Sequence, residues 1–449
     1  MNRRHFLALT ASAGAALTTR AAESAPSKFR VGVIGDSAHG KYGHSLDKIW
    51  LNLPDTEIAA VADPDAAGLA SAQERLGGVR GFVDYRAMLA EVKPDIVAIC
   101  LGDMRARQPI ALAAIASGAR GIYMEKPFCR TLAEADEIIA AADKAGVKFS
   151  LAHRNRYHPG IATIDRLLKE GAIGQLLELR GRGKEDVRGG CVDLWILGSH
   201  VLDLIQHFSG KPLACSATLM QDGRIAKRED VRDSGDAGLI VGNAVHARFE
   251  MERGVPAFFD SVQNAGSKEA GFGLELIGTR GVINLRMDST PVAYLIPGNP
   301  FQPTKEPRPW IPITSAGVDV PEPIANLSAQ SGGHLFAARE LLAAVRENRA
   351  PVCDVHEGRV IVEMITAVLE SHRQDGRRVA FPIMAGTVNL VGGHHGKLRM
   401  TLAKSARKRL RAMRKHGTRL SHGYAVVLTG RILGLEPRTS IKTVRIRLR

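Results

Sequence analysis

From residue 28 to 150 the apolar positions alternate between two patterns. "FRVGVIG", "EIAAVADPD", "DIVAICL" and "RGIYME" are short apolar runs bounded by glycine, proline or charge. That is the pattern of strands buried on both faces. Between them the apolar positions recur with helical spacing. "LDKIWLNL" places Leu46, Ile49, Trp50 and Leu53 on one helical face, and "RQPIALAAIASGA" is a helix closed by Gly118. "TLAEADEIIAAADKAG" carries a capping box from Thr131 to Glu134 and a stop at Gly146. Strands alternating with helices predict a doubly wound parallel sheet, the Rossmann type, over 28–150. Ligands of such sheets bind at the carboxyl ends of the strands.

From about residue 151 the rhythm changes. "QLLELRGRGKED", "HARFEM", "AFFDSVQNA", "FGLELIG" and "GVINLRM" read as longer strands joined by turns, interrupted by a helix near 193–208. The pattern predicts an α+β domain over 151–384 with a mostly antiparallel open sheet. Residues 291–323 hold nine of the 21 prolines, which predicts an extended loop or arm. Helical periodicity returns at "HLFAARELLAAVRENRA" and "EGRVIVEMITAVLESHRQ", and the body ends near Pro382.

The two ends differ from the body. The formal charge of +15 lies wholly in 385–449, where sixteen Lys or Arg face one acid, Glu436. The rest of the chain is neutral, with 45 bases and 45 acids. The tail reads either as an arm for an anionic surface or nucleic acid, or as an extension outside the fold. The balanced body favours the second, and a nucleic-acid partner is not expected. At the start, Arg3 and Arg4 precede an apolar run from Phe6 to Leu17 and small residues at Ala21 and Ala22. This predicts a twin-arginine signal peptide over 1–22 and an extracytoplasmic, periplasmic location. No run approaches the ~20 apolar residues of a membrane span. The five cysteines stand apart with no C-x-x-C pair to suggest a metal site or a redox pair, so scattered buried thiols are predicted.

Candidate chemistry gathers at strand ends. In "VGVIGDSAHGKYGHSL" the glycines Gly35, Gly40 and Gly43 suit a tight turn, although Ser37 stands where a second closely spaced glycine is usual. A helix opening there would face a pyrophosphate. Asp63 follows Gly35 by 28 residues and ends the second strand. A carboxylate there accepts a ribose diol and repels a 2′-phosphate, favouring NAD over NADP; otherwise Asp63 is a solvated turn residue. Glu125 and Lys126 follow the "RGIYM" strand as either an exposed pair or a site.

Together these segments resemble the Gfo/Idh/MocA oxidoreductase family. The carriers are "VGVIG", "VADPD", "PDIVAI", "ALAAIASGARGIYMEKPF", "LAEADEIIAAADKAGVK", "RYHP", "GAIGQLLELRGRG" and "DLWILGSHVLDL", spread over about 28–384. The loop "HGKYGHSLD" and the stretch "GRGKEDVRGG" look similar to a twin-arginine-exported bacterial branch. The resemblance implies an NAD(P)-dependent oxidoreductase acting on a sugar, cyclitol or related polyol, paired as a dimer or tetramer. It places Gly35, Asp36, Ser37, Gly40, Asp63, Glu125 and Lys126 at the cofactor. It sets Lys126 beside the reacting carbon and lets Pro127 fix the loop through a cis bond. His200 becomes the acid/base, with Asp203 as a second acid. The family acid four positions before His200 is Ile196 here. Asp193 either substitutes for it or caps the helix. Arg156, Tyr157 and Lys184 are substrate candidates. Two further readings follow from export and from Ile196: a redox-neutral glycoside-cleaving enzyme that retains its cofactor, and a non-catalytic binding protein of the same fold.

Overall fold

The computed structural model describes residues 28–383 apart from 41, 44, 236, 267–271 and 288, with the backbone of 386–389 and 399–402. The expected signal segment and most of the basic tail lie outside the described residues.

The first layer is a six-stranded parallel sheet. Its strands are β1 (Phe29–Ile34), β2 (Thr56–Ala62), β3 (Arg80–Phe82), β4 (Ile96–Ile99), β5 (Gly121–Met124) and β6 (Lys148–Leu151), in the order β3-β2-β1-β4-β5-β6. The strand order reverses between β1 and β4, so a crevice opens beyond their carboxyl ends. The crossovers carry α1 (Ala66–Arg75), α2 (Tyr85–Val92), α3 (Arg107–Ala116) and α4 (Leu132–Ala145). Both capping-box bonds of α4 form, and Gly146 closes the helix at φ 71°.

The first crossover departs from expectation. Residues 45–48 are turns and Ile49–Asn52 is a single 3-10 turn, not an α-helix. Gly40, Gly43 and Ser45 all have positive φ, and Pro54 forces Leu53 into extended backbone. The apolar face still finds the core, since Leu46, Ile49, Trp50 and Leu53 are buried. Among the described residues the helix that opens beside this loop is α1 instead, whose first-turn Gly68 lies against Ser37.

The second sheet contains β7 (Leu176–Arg182), β8 (Pro212–Gln221) and the two-residue β9 (Arg224–Ile225). The pair β10 (Arg232–Asp233) and β11 (Leu239–Ile240) stands apart. The sheet continues through β12 (Ala244–Met251), β13 (Pro256–Val262), β14 (Gly273–Gly278), β15 (Gly281–Arg286), β16 (Ala293–Pro297), β17 (Ile311–Ile313) and β18 (Val379–Ala380). Its order is β17-β16-β15-β14-β7-β13-β12-β8-β18, with β9 beside β8; only β7 and β13 pair in parallel. The proline-rich stretch is thus not a free arm. Its segments Ala293–Pro297 and Ile311–Ile313 extend the sheet edge, while Pro300, Pro303, Pro307 and Pro309 fill the connection. A last hairpin, β19 (Gly386–Asn389) and β20 (Arg399–Leu402), stands outside both sheets.

Helices α5 (Gly160–Lys169), α6 (Cys191–Ile196), α7 (Gly198–Ser209) and α8 (Leu327–Gly332) lead to α9 (Leu335–Glu347) and α10 (Val355–Arg373). Helix α7 lies on the inner face of the second sheet. Helices α9 and α10 return to the first domain: α9 covers β5 and β6, and α10 packs on α4, β6 and β8. The chain beyond residue 330 therefore ties the two sheets together. It also brings Cys353 alongside the end of β6, where Leu151 N donates to Cys353 O at 2.9 Å.

Candidate active site

Strand β5 ends in Met124, and Glu125 extends its ladder by one bond to Ile99 O. The next peptide, Lys126–Pro127, is cis. The buried Arg107 guanidinium braces this turn against the loop after β4. It donates to Leu101 O, Gly102 O at 2.9 Å, Lys126 O at 3.3 Å and Pro127 O. Arg107 was not among the expected site residues, since it reads as the start of α3.

Lys126 is not part of an exposed turn; only 5% of it is accessible. Its Nζ donates to Ile196 O at 2.7 Å and lies 4.0 Å from Glu125 Oε1. Burial lowers the ammonium's pKa, Glu125 opposes this, and Arg107, Arg154 and Arg188 push it further down. The carbonyl it meets is a helix end. The chain breaks at Leu197 between α6 and α7, which frees Ile196 O to accept. At the position of the missing acid, a backbone oxygen partners the lysine.

His200 stands in the first turn of α7, buried, with Nδ1 lacking any hydrogen-bond partner. Burial drives its pKa well below the ordinary value, with the Lys126 charge next in effect. Its ring is 5.6 Å from His153 and 6.3 Å from Phe272. Lys184 Nζ lies 5.8 Å from the other partner, Phe272, at the edge of this group.

Asp193 is neither the partner of His200 nor the helix cap. Gly190 is the cap, the chain breaks at Leu197 between Asp193 and His200, and no hydrogen bond joins the two among the described residues. Its carboxylate accepts from Ser261 Oγ at 2.7 Å and Glu185 N at 3.1 Å, and burial raises its pKa. It pins the 183–190 loop to β13. Arg156 is spent on Asp203 (3.7 Å) and Glu357 (3.3 Å). Tyr157 is a core residue whose hydroxyl bonds Ser150 Oγ at 2.7 Å. Neither offers itself to a substrate. Asp203 does sit beside the site, within reach of Cys353 Sγ at 3.4 Å.

At the nucleotide end, Gly40 is required. Its φ is 94°, and a Cβ there would stand 2.9 Å from Gly102 Cα, where the loops after β1 and β4 touch. Glu125 Oε2 is buried without a partner and faces Gly43. An orphaned carboxylate oxygen beside a glycine loop fits a ribose hydroxyl donor. Ser37 and Asp63 behave differently from expectation. Asp63 is fully buried and accepts from Ser37 N (3.1 Å), Ser37 Oγ (2.6 Å), Tyr42 OH (2.8 Å) and Asp65 N (2.9 Å). It holds the loop instead of presenting free oxygens to a ribose, so it carries no choice between NAD and NADP. Asp36 likewise accepts from Ala38 N and His39 N within its own turn. The residues thus fit a dinucleotide through Gly35, Gly40, Glu125 and Lys126.

Three further groups were not singled out by the sequence: His153 and Cys353, which meet beside His200 and Asp203, and Tyr42, which donates to Asp63 at the nucleotide end. His153 ends β6 within "HRNRYHP", a strand-end position that could have drawn notice. Cys353 is 200 residues away in sequence, with no local signal.

The N-terminal region, residues 29–153, matches the model of an oxidoreductase family with an NAD-binding Rossmann fold. Residues 178–381 match that family's C-terminal alpha/beta domain. The chain belongs to the Gfo/Idh/MocA oxidoreductases and is an NAD-binding enzyme of that class. It is 30% identical over 214 residues to a D-apiose dehydrogenase of Paraburkholderia graminis, covering 45% of this chain and 56% of that protein. It is 25% identical over 296 residues to a scyllo-inositol 2-dehydrogenase (NADP(+)) of Bacillus subtilis, covering 59% of this chain and 73% of the relative. The fold matches a levoglucosan dehydrogenase solved with NADH and levoglucosan, with TM-score 0.65, 20% identity, and coverage of 79% and 99%. Among the described residues no helix is long and apolar enough to cross a membrane.

Proposed function

We propose that this oxidoreductase moves a hydride between nicotinamide and a carbinol carbon of a sugar, cyclitol or related polyol. The observation that carries the proposal is the buried Lys126 ammonium beside His200, at the carboxyl end of β5 in the crevice of the first sheet. The apiose, scyllo-inositol and levoglucosan dehydrogenases similar to this chain support a polyhydroxylated substrate. When bound, the nicotinamide supplies the hydride acceptor or donor. Glu125 holds a ribose hydroxyl, and the loop at Gly35 and Gly40 admits the backbone close to the phosphates. Lys126 holds the carbinol oxygen and stabilises it as it loses its proton. His200, neutral in its buried setting, takes that proton.

The protein acts outside the cytoplasm, exported folded through the twin-arginine route; Arg3, Arg4 and the run Phe6–Leu17 support this. It assembles through the open face of the second sheet. There Phe258, Arg180, Glu275, Asn284 and Tyr294 lie opposite one another across five strands, and the half-exposed Trp310 meets the Tyr294 ring at 5.6 Å. The test is gentle purification of the exported form, mass spectrometry of any released small molecule, and assay on a polyol panel. Stoichiometric NAD(H) or NADP(H) with turnover is expected. A protein that neither carries nor binds nucleotide sinks the proposal.

A further inference from the structure

Behind His200, three side chains that carry metal-ligating atoms meet in one buried place. His153 Nδ1 and Asp203 Oδ1 each face Cys353 Sγ, at 3.3 and 3.4 Å, and one ligand atom from each of the three lies within 4.8 Å of the others. At most 2% of any of the three residues is accessible. They come from three parts of the chain: His153 follows β6, Asp203 stands on α7 and Cys353 precedes α10. Cys353 is 150 residues from Asp203 and 200 from His153, so the set has no short-range spacing to announce it.

The spacing fits a cation. A tetrahedral zinc, with bonds of about 2.3 Å to sulfur and about 2.0–2.1 Å to nitrogen or oxygen, holds its ligand atoms about 3.3–3.6 Å apart. A thiolate, an imidazole and a carboxylate are donors that zinc takes, whereas magnesium and calcium need a shell of oxygens. The charge fits as well. Arg156 is shared between two acids, with Nε 3.7 Å from Asp203 Oδ2 and Nη2 3.3 Å from Glu357 Oε1. Arg156 Nε, Asp203 Oδ2 and Glu357 Oε2 are buried without a hydrogen bond. The cluster thus holds one more acid than base. A divalent cation that displaces the thiol proton adds one net positive charge and removes that imbalance. Asp203 serves both partners, because Oδ2 faces Arg156 while Oδ1 faces the sulfur. An arginine behind a ligating carboxylate orients it.

We propose that His153, Asp203 and Cys353 bind one divalent transition-metal ion, zinc by the donor set, through Nδ1, Oδ1 and Sγ. On binding, the Cys353 S–H bond breaks, its proton leaves to solvent and the thiolate sulfur bonds the metal. Three protein ligands leave a fourth position for a water. His153 belongs to the first domain and Asp203 to the second, so the metal ties the two together at the start of α10. The tie lies in the wall behind His200, whose ring centre is 5.6 Å from that of His153. The site goes beyond the hydride chemistry proposed above and needs none of it.

The experiment is elemental analysis of the untagged full-length protein produced with zinc, and the absorption spectrum of the same protein produced with cobalt in its place. The expected result is about one zinc per chain and, in the cobalt form, the visible bands of a tetrahedral ion with a near-ultraviolet thiolate-to-cobalt band. Cys353→Ser keeps a hydroxyl able to make both hydrogen bonds but removes the thiolate. Its metal content is expected to fall at least about tenfold, with the charge-transfer band lost. Asp203→Asn is expected to lower the content by a similar factor, and it takes the place of the serine variant where that one fails to fold. Wild-type protein that holds no metal from either medium overturns the proposal and leaves a hydrogen-bonded thiol. Metal without the thiolate band, or metal content unchanged by Cys353→Ser, is an adventitious ion only and equally overturns it. The wild-type spectrum decides the matter even where neither variant folds.

Discussion

Two buried ionic clusters sit on the first two turns of α10, two residues apart, and they are built differently. Arg359 donates from Nε to Asp136 Oδ1 at 2.6 Å, from Nη1 to Glu363 Oε2 at 2.7 Å and from Nη2 to Ile383 O at 3.3 Å. Glu363 also takes Ile383 N. No fully buried polar side-chain atom of this cluster lacks a partner among the described residues. The other cluster holds Arg156 between Asp203 and Glu357. There Arg156 Nε, Asp203 Oδ2, Glu357 Oε2 and His153 Nε2 are all buried without a hydrogen bond. An orphaned buried polar atom costs about 1–3 kcal/mol. The closed cluster is a tie between α10 and α4, and the open one is the rear wall of a site. Unmet polarity separates the two where charge does not, and Glu357, with 31% of its side chain exposed, also opens the second cluster toward solvent.

The largest effect comes from breaking the closed cluster. Arg359→Met leaves Asp136 and Glu363 buried without their cation, at about 3–5 kcal/mol of stability. Urea unfolding should show that loss, while the protein that remains folded keeps its kcat. A variant as stable as wild type would mean the cluster is not a tie.

Lys126→Met tests the opposite case, a charge kept for chemistry. On the proposed function, removing the ammonium takes away the group that would face the developing alkoxide, and kcat/KM should fall about 10³-fold, ~4 kcal/mol of barrier. Its stability should hold or rise, because burial lowers the lysine's pKa. Activity within tenfold of wild type would remove Lys126 from the reaction.

The contrast also explains what the sequence could and could not disclose. Strands β1, β2, β4 and β5 were legible because continuous apolar runs bounded by glycine or charge have few other uses. The short β3, with α1 and α2, was passed over because "AAGLASAQERL" and "YRAMLAEV" bury only a few positions each. Lys126 and His200 were legible through family motifs. The partners of Asp63 were not, because Ser37 and Tyr42 reach it through a loop whose positive-φ residues cancel the expected helix. Asp193 was misassigned because one helix was assumed where Leu197 breaks two. The His153–Cys353 contact spans 200 residues and arises from how α10 docks, which no local spacing encodes.

A smaller effect distinguishes the clusters by pH. Burial, with the Asp203 charge next, raises Glu357 from 4.5 to about 7, against the pull of Arg156. A carboxyl raised on folding binds its proton more tightly in the native state. Its contribution is therefore full below about pH 4.5 and is lost as pH rises through 7. A rise to about 7 would be worth about 3 kcal/mol, and partial exposure of the side chain reduces this to about 1–2 kcal/mol. Glu357→Gln should match wild type near pH 4.5 and exceed it by that amount at pH 8 in urea unfolding. Parallel pH profiles for the two proteins would show that Glu357 is charged like an ordinary surface acid.

The smallest effect belongs to His207, two turns beyond His200 on α7. The sequence places both on one helical stripe with Asp203, so periodicity alone treats them alike. The structure separates them by environment. His200 is buried with an unmet nitrogen, whereas His207 reaches the surface and bonds Asp165 Oδ1 at 2.9 Å, its ring against Phe208. A solvent-exposed pair of this kind contributes about 0.5 kcal/mol or less, because water and salt screen it. His207→Ala should therefore shift the unfolding midpoint within that range and leave kcat and KM at wild-type values. A large fall in kcat would mean that the stripe functions as a unit down the whole of α7, and that the boundary drawn here between met and unmet polarity is misplaced.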